Sequence, residues 1–229
     1  MLIRDVGPAE GSTDVARRPV ESRPATLARR REILDAAVEV FGKRGYASGS
    51  LQEIADLVGM THAGVLHHFG SKHQLLLEVL AHRDQTDVAQ LEGQHIPDGM
   101  GLFRHLVRTA FRNAQRAGIV QGFTVLSAEA TTEGHPGRQY FHERYETLRR
   151  ELAQAFRVVC AEHGVEEPAT VDAGAAAVLA VMDGLQVQWL LAPDAVDLGR
   201  TSAFAIEAVV RAVVGVDVDL LEDGTTGTP

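Results

Sequence analysis

An all-α fold is predicted, with an N-terminal three-helix helix-turn-helix domain followed by a larger helical dimerisation and ligand-binding domain. Three observations predict it. Residues 50–72, SLQEIADLVGMTHAGVLHHFGSK, hold two capped helix starts separated by a glycine. Beyond them, apolar residues recur at helical steps up to about residue 214, broken by Gly and Pro and without a strand period. Finally, residues 17–83 hold 10 Lys/Arg against 7 Asp/Glu, a surplus of +3 in a chain whose net charge is −9. The remainder is strongly acidic, so a polyanionic partner is expected to meet only the first domain, with an affinity that falls as salt rises.

Residues 1–24 place Gly7, Pro8, Gly11, Pro19 and Pro24 among charges with no apolar period, which predicts a disordered basic arm. Arg17, Arg18 and Arg23 would suit phosphate or the minor groove. From Leu27 to Lys43, Ile33, Ala37, Val40 and Phe41 repeat at helical spacing, and Gly45 is the expected stop. Arg29, Arg30 and Arg31 oppose that helix's dipole, a cost that either DNA phosphate or the nearby Glu32 and Asp35 would relieve. Ser50 and Glu53 have capping-box spacing, and Leu51, Ile54, Ala55 and Val58 give the next helix one apolar face before Gly59. Thr61 caps a further helix in which Val65 and Phe69 point one way and His62, His67 and His68 are left outside.

Together with ARRREILDAAVEVFGKRGY before it and SKHQLLLEVL after it, this segment resembles the DNA-binding domain of TetR-family transcriptional regulators, closely over about Leu27 to Leu80. The resemblance implies that Thr61, His62, His67, His68 and Lys72 face DNA. Ser50 is a weaker phosphate candidate because capping already explains it, and Gly64 leaves room to approach a base edge. The family often has Tyr where Leu66 stands and Gly where Ala63 stands, so a phenolic phosphate contact is missing and His67 or His68 is expected to take over part of that role.

Leu75, Leu76, Val79 and Leu80 open a helix expected to run to Leu91 and to act as the lever between the domains; a loop at Gly93–Gly101 follows. Phe103, Leu106, Val107, Ala110 and Phe111 then form a stripe opposed by Arg104, Arg108, Arg112 and Arg116. Gly118 is expected to break that helix, Ile119–Ala130 to form another, and Pro136 to sit in the first turn of a long helix ended by Gly164. Val171–Leu191 is apolar nearly all round, which predicts burial, and Pro193 stops it. A last helix carries Phe204, Ala208, Val209 and Ala212, and 215–229 is expected to be a disordered acidic tail. The expected boundaries are thus 1–24, 25–72, 73–214 and 215–229.

Two last helices with small or apolar faces predict a four-helix contact with a second copy, as the resemblance also implies, through Ala176, Ala180, Gly184, Phe204, Ala208, Val209 and Ala212. Family members usually hold a small effector in the second domain. Phe103, Val107, Phe111, Phe123, Leu126, Tyr140, Met182 and Trp189 are the candidate lining for a mostly apolar one. A cytoplasmic location is expected: the first apolar residues are interrupted by Arg4 and Asp5, the run Ala173–Met182 is too short to cross a bilayer, and Cys160 is the only cysteine.

No cofactor, metal site or membrane partner is expected. His67 and His68 are adjacent and cannot share a helix face, and neither a P-loop, G-x-G-x-x-G after a strand, G-x-S-x-G nor H-E-x-x-H occurs, so no catalytic residue is assigned. The expected function is a homodimeric repressor released from a palindromic operator by a small molecule. An effector-free DNA-binding dimer, and a helical ligand-binding protein or enzyme with a silent helix-turn-helix, are the alternatives.

Overall fold

The computed structural model describes residues 24–88 and 97–221. The expected arm and most of the acidic tail lie outside them, as does the connection after residue 88. Nine helices form among the described residues: α1 (Pro24–Ser48), α2 (Leu51–Leu57), α3 (His62–Phe69), α4 (Lys72–Val88), α5 (Met100–Asn113), α6 (Ala117–Glu129), α7 (Arg138–Glu162), α8 (Val171–Leu191) and α9 (Leu198–Val214).

Local chemistry places the first helix ends. The Ser50 hydroxyl accepts from the Glu53 N–H at 3.0 Å and the Thr61 hydroxyl from the Gly64 N–H at 3.1 Å, so each satisfies one of the donors that a helix start leaves without a partner. Only half of the capping box forms, because the Glu53 carboxylate turns to Arg44, 3.6 Å away. Gly45 interrupts α1 at φ 73°, ψ 170°, and a last turn carries on to Ser48.

Two expected helix ends shift. Gly118 lies within the first turn of α6, since the break falls at Ala114–Arg116. Pro136 precedes α7 in a turn in which the Gly137 N–H donates to His135 Nδ1. Finally, α8 is long and apolar enough to cross a bilayer by length and composition, which the shorter run Ala173–Met182 did not suggest. It packs against α7 and α9, and the Tyr145 hydroxyl of α7 donates to the Asp183 carboxylate at 2.6 Å.

Two large cores result. In the head, Ile33, Ala37, Val40 and Phe41 of α1 meet Ile54 and Ala55 of α2, Val65 and Phe69 of α3, and Leu75, Leu76, Val79 and Leu80 of α4. Phe123, Leu126 and Ala130 of α6 and Phe141 of α7 join the same core, so packing runs on across the expected boundary at residues 72 and 73. The body core is built on Phe103 and Phe156, whose ring centroids are 4.7 Å apart, with Leu152, Val178 and Ile206 around them.

Head and body touch most extensively where α1 crosses α6. A Cβ added to Gly42 would lie 2.9 Å from the Gly122 Cα, and one added to Gly122 would lie 3.1 Å from the Val38 carbonyl oxygen. The helices therefore meet backbone to backbone, a contact that only glycine permits.

Candidate nucleic-acid interface

On α3, Val65 and Phe69 are buried while Thr61, His62 and His67 are exposed. The buried pair seats the helix on the head core and turns the opposite side outward, as a recognition helix requires. Gly64 is half-buried, and a Cβ there would press on the Met60 methyl at 3.0 Å. Ser50 is exposed, and like Thr61 it already uses its hydroxyl as a cap.

His68 is half-buried, with its ring centroid 6.0 Å from that of His67. Burial, followed by the positive charges of Arg30, His67 and Arg29, holds its pKa below the ordinary imidazole value. The neutral ring this favours offers one donor and one acceptor, enough for a phosphate oxygen, a base edge or a water.

Arg29 and Arg30 at the start of α1 are engaged within the protein. Arg30 pairs with Glu78 of α4, donates to the His68 carbonyl oxygen and lies 4.3 Å over the Phe69 ring. One guanidinium thereby ties α1, α3 and α4 together. Arg29 bonds to Glu32 at 2.6 Å and to the Val58 carbonyl oxygen at 3.2 Å. Lys72 donates to the Ala47 carbonyl oxygen at 3.2 Å and sits 4.6 Å from the Tyr46 ring centroid. Burial lowers its pKa, and Glu129 acts in the opposite direction.

Behind this edge lies a polar junction that the sequence did not disclose. The Tyr46 N–H, freed by the break at Gly45, donates at 2.7 Å to the carboxylate of Glu129 at the end of α6. A Cβ at Gly45 would lie 2.1 Å from Glu129 Oε1, so the glycine makes room for the contact. His135 packs edge-on against Tyr46 with centroids 5.4 Å apart, and its Nε2 lies 3.9 Å from Glu129. Gly45 ahead of Tyr46 was the one visible signal, and it was read only as a helix stop.

The eight residues expected to line an effector cavity are divided among three core clusters. Phe103, Val107 and Met182 are in the body core with Phe111 against it, Phe123 and Leu126 belong to the head core with Tyr140 against it, and Trp189 sits in a third cluster with Val120 and Leu198. A hollow of about 20 Å³ touches Phe123 and Leu126, room for about one water. Among the described residues no His/Cys/Asp/Glu group has the arrangement to hold a metal ion.

Residues 33–79 match the family of bacterial regulatory proteins named for tetR, and residues 101–214 match the C-terminal domain of BetI-type transcriptional repressors. The chain belongs to the TetR family. Its members are DNA-binding transcriptional regulators that dimerise. This TetR-family chain is 27% identical over 175 residues to the HTH-type transcriptional regulator TtgR of Pseudomonas putida, covering 74% of this chain and 83% of that one. Its fold is similar to that of SmeT, the repressor of the Stenotrophomonas maltophilia multidrug efflux pump SmeDEF (TM-score 0.66, 20% identity, 89% and 98% of the two chains). It is also similar to a regulator from Saccharomonospora viridis solved in complex with choline (TM-score 0.63, 23% identity, 78% and 94%).

Proposed function

We propose that this TetR-family regulator is a homodimeric repressor that reads a palindromic operator with α3 of each protomer and is released by a small, mostly apolar effector. The observation that carries the reading is α3 itself: capped by Thr61, seated by Val65 and Phe69, and exposing His62 and His67. Half-sites would then lie in adjacent major grooves about 34 Å apart. The head (25–72) would read DNA, and the body (73–214) would dimerise and sense the effector.

The second copy is supported by an exposed apolar face on α8 and α9. Ala176, Ala180, Ala208 and Ala212 are exposed, Gly184 and Val209 are half-buried, and Phe204, Leu191 and Val187 are 72%, 82% and 42% exposed. Pairing two such faces as a four-helix contact removes them from water. The effector is supported by relatives of the same fold, one solved with choline and SmeT solved with triclosan. Binding that favours a different head spacing would shift the population away from the operator. Two routes carry it: α4, as expected, and the α1–α6 glycine crossing. The protein would work in the cytoplasm.

The test is selection of bound sequences from random duplex DNA, then titration of the best site at two salt concentrations. A palindromic consensus is expected, and Lys72→Ala should weaken binding about equally for all sequences while flattening the salt slope by about one unit. Weak binding without a consensus would overturn the reading.

A further inference from the structure

Where the exposed side of α1 passes α4 and the first turn of α6, the surface opens into a cleft of about 470 Å³. That is within the usual size of a small-molecule site. None of the eight residues expected to line an effector cavity takes part in it. Val38 and Ile119 supply its apolar wall, and Gly118 keeps it open by lacking a side chain. A Cβ built on Gly118 meets nothing within 4 Å.

The charges at its edge decide what it would take. Lys43 is held by Glu39 at 2.6 Å, and the Arg116 guanidinium donates to Asn113 Oδ1 at 2.7 Å. His82 is likewise engaged. Asp35 also lines the cleft, is exposed, and has no hydrogen-bond or ion-pair partner among the described residues. An apolar wall with one unpartnered carboxylate complements an organic cation whose charge sits at the end of an apolar body.

We propose that this head–body cleft is a binding site for amphipathic organic cations, separate from any cavity inside the body, with Val38 and Ile119 covering the apolar part and Asp35 facing the charge. Because α1 and α4 build the head core and α6 links that core to the body, an occupant touches both and stabilises the docking described here.

The probe is benzyltriethylammonium, titrated into the full-length protein labelled at Ile and Val methyl groups. Saturable shifts are expected at Val38 and Ile119, with Val107 and Val178 in the body core unmoved. By calorimetry, Asp35→Asn should bind about threefold to fivefold more weakly, the scale of an exposed ion pair. Gly118→Leu, whose side chain has open space to occupy, should abolish binding while leaving the circular dichroism spectrum unchanged. An uncharged isostere of the probe should bind no more tightly to wild type than to Asp35→Asn. Shifts confined to the body core, unchanged affinity in both variants, or no saturable binding would each overturn the proposal.

Discussion

Replacing Gly42 by alanine tests the docking of head on body directly. The new Cβ would lie 2.9 Å from the Gly122 Cα and 3.0 Å from its nitrogen, where ordinary contact begins at 3.4 Å. Both neighbours are backbone, so no rotamer change gives way, and α1 and α6 must part by about 0.5 Å along their main contact. Overpacking of this kind costs about 1–3 kcal/mol, offset by about 1 kcal/mol from alanine's better helix propensity, which leaves a net loss of up to about 2 kcal/mol. For a chain of this size that lowers the melting temperature by up to about 8 °C. Gly118→Ala, also in a helix but with open space around its Cβ, should instead raise it by about 1–4 °C. The assay is thermal unfolding followed by circular dichroism at equal protomer concentration, since dimerisation makes the midpoint concentration-dependent. If Gly42→Ala melted as high as Gly118→Ala, the glycine crossing would not exist in solution.

Two other outcomes are expected. Burial lowers the His135 pKa, with Glu129 opposing, so below about pH 6.5 the unfolded chain binds more protons than the folded one. The stability this neutral ring contributes is present above that pH and is lost as pH falls toward the depressed folded value. His135→Asn should flatten the fall in melting temperature between about pH 7.5 and 5.5, and an unchanged slope would assign it to other groups. On α9, Phe204→Glu alters a side chain that is 72% exposed in the protomer, so it should leave the helical content intact while sedimentation shows a monomer. A variant that stays dimeric would move the interface away from this face.

The sequence was informative wherever the deciding chemistry is local. Ser50 and Thr61 cap helices at the predicted residues because a hydroxyl and its N–H partner are three positions apart. Likewise, α8 begins and ends at Val171 and Leu191 as expected, with Pro193 just beyond. What periodicity conveys is that a face is buried, and not against what. Phe103, Phe123 and Trp189 each lie on apolar stripes, yet they enter three different clusters, which is why the candidate lining does not assemble. Gly42 and Gly122 drew no reading from the sequence, because the partner of each is 80 residues away. Arg30 looked like a surface charge for the same reason: its partners Phe69 and Glu78 come from other helices. The reverse holds on α8, where the all-round apolar composition suggested burial but Leu191 and Val187 are exposed on the protomer.

The contact from Glu129 to the Tyr46 N–H spans 83 residues. It bears on the order in which the protein is completed during synthesis. The head's capping and core residues up to Leu80 emerge first, and its three-helix arrangement needs few distant contacts. The end of α1 is different: its freed donor stays with water until α6 has been made and docked. A head released alone is therefore a head with an unfinished edge beside Lys72, and the body completes that edge before the protein meets DNA.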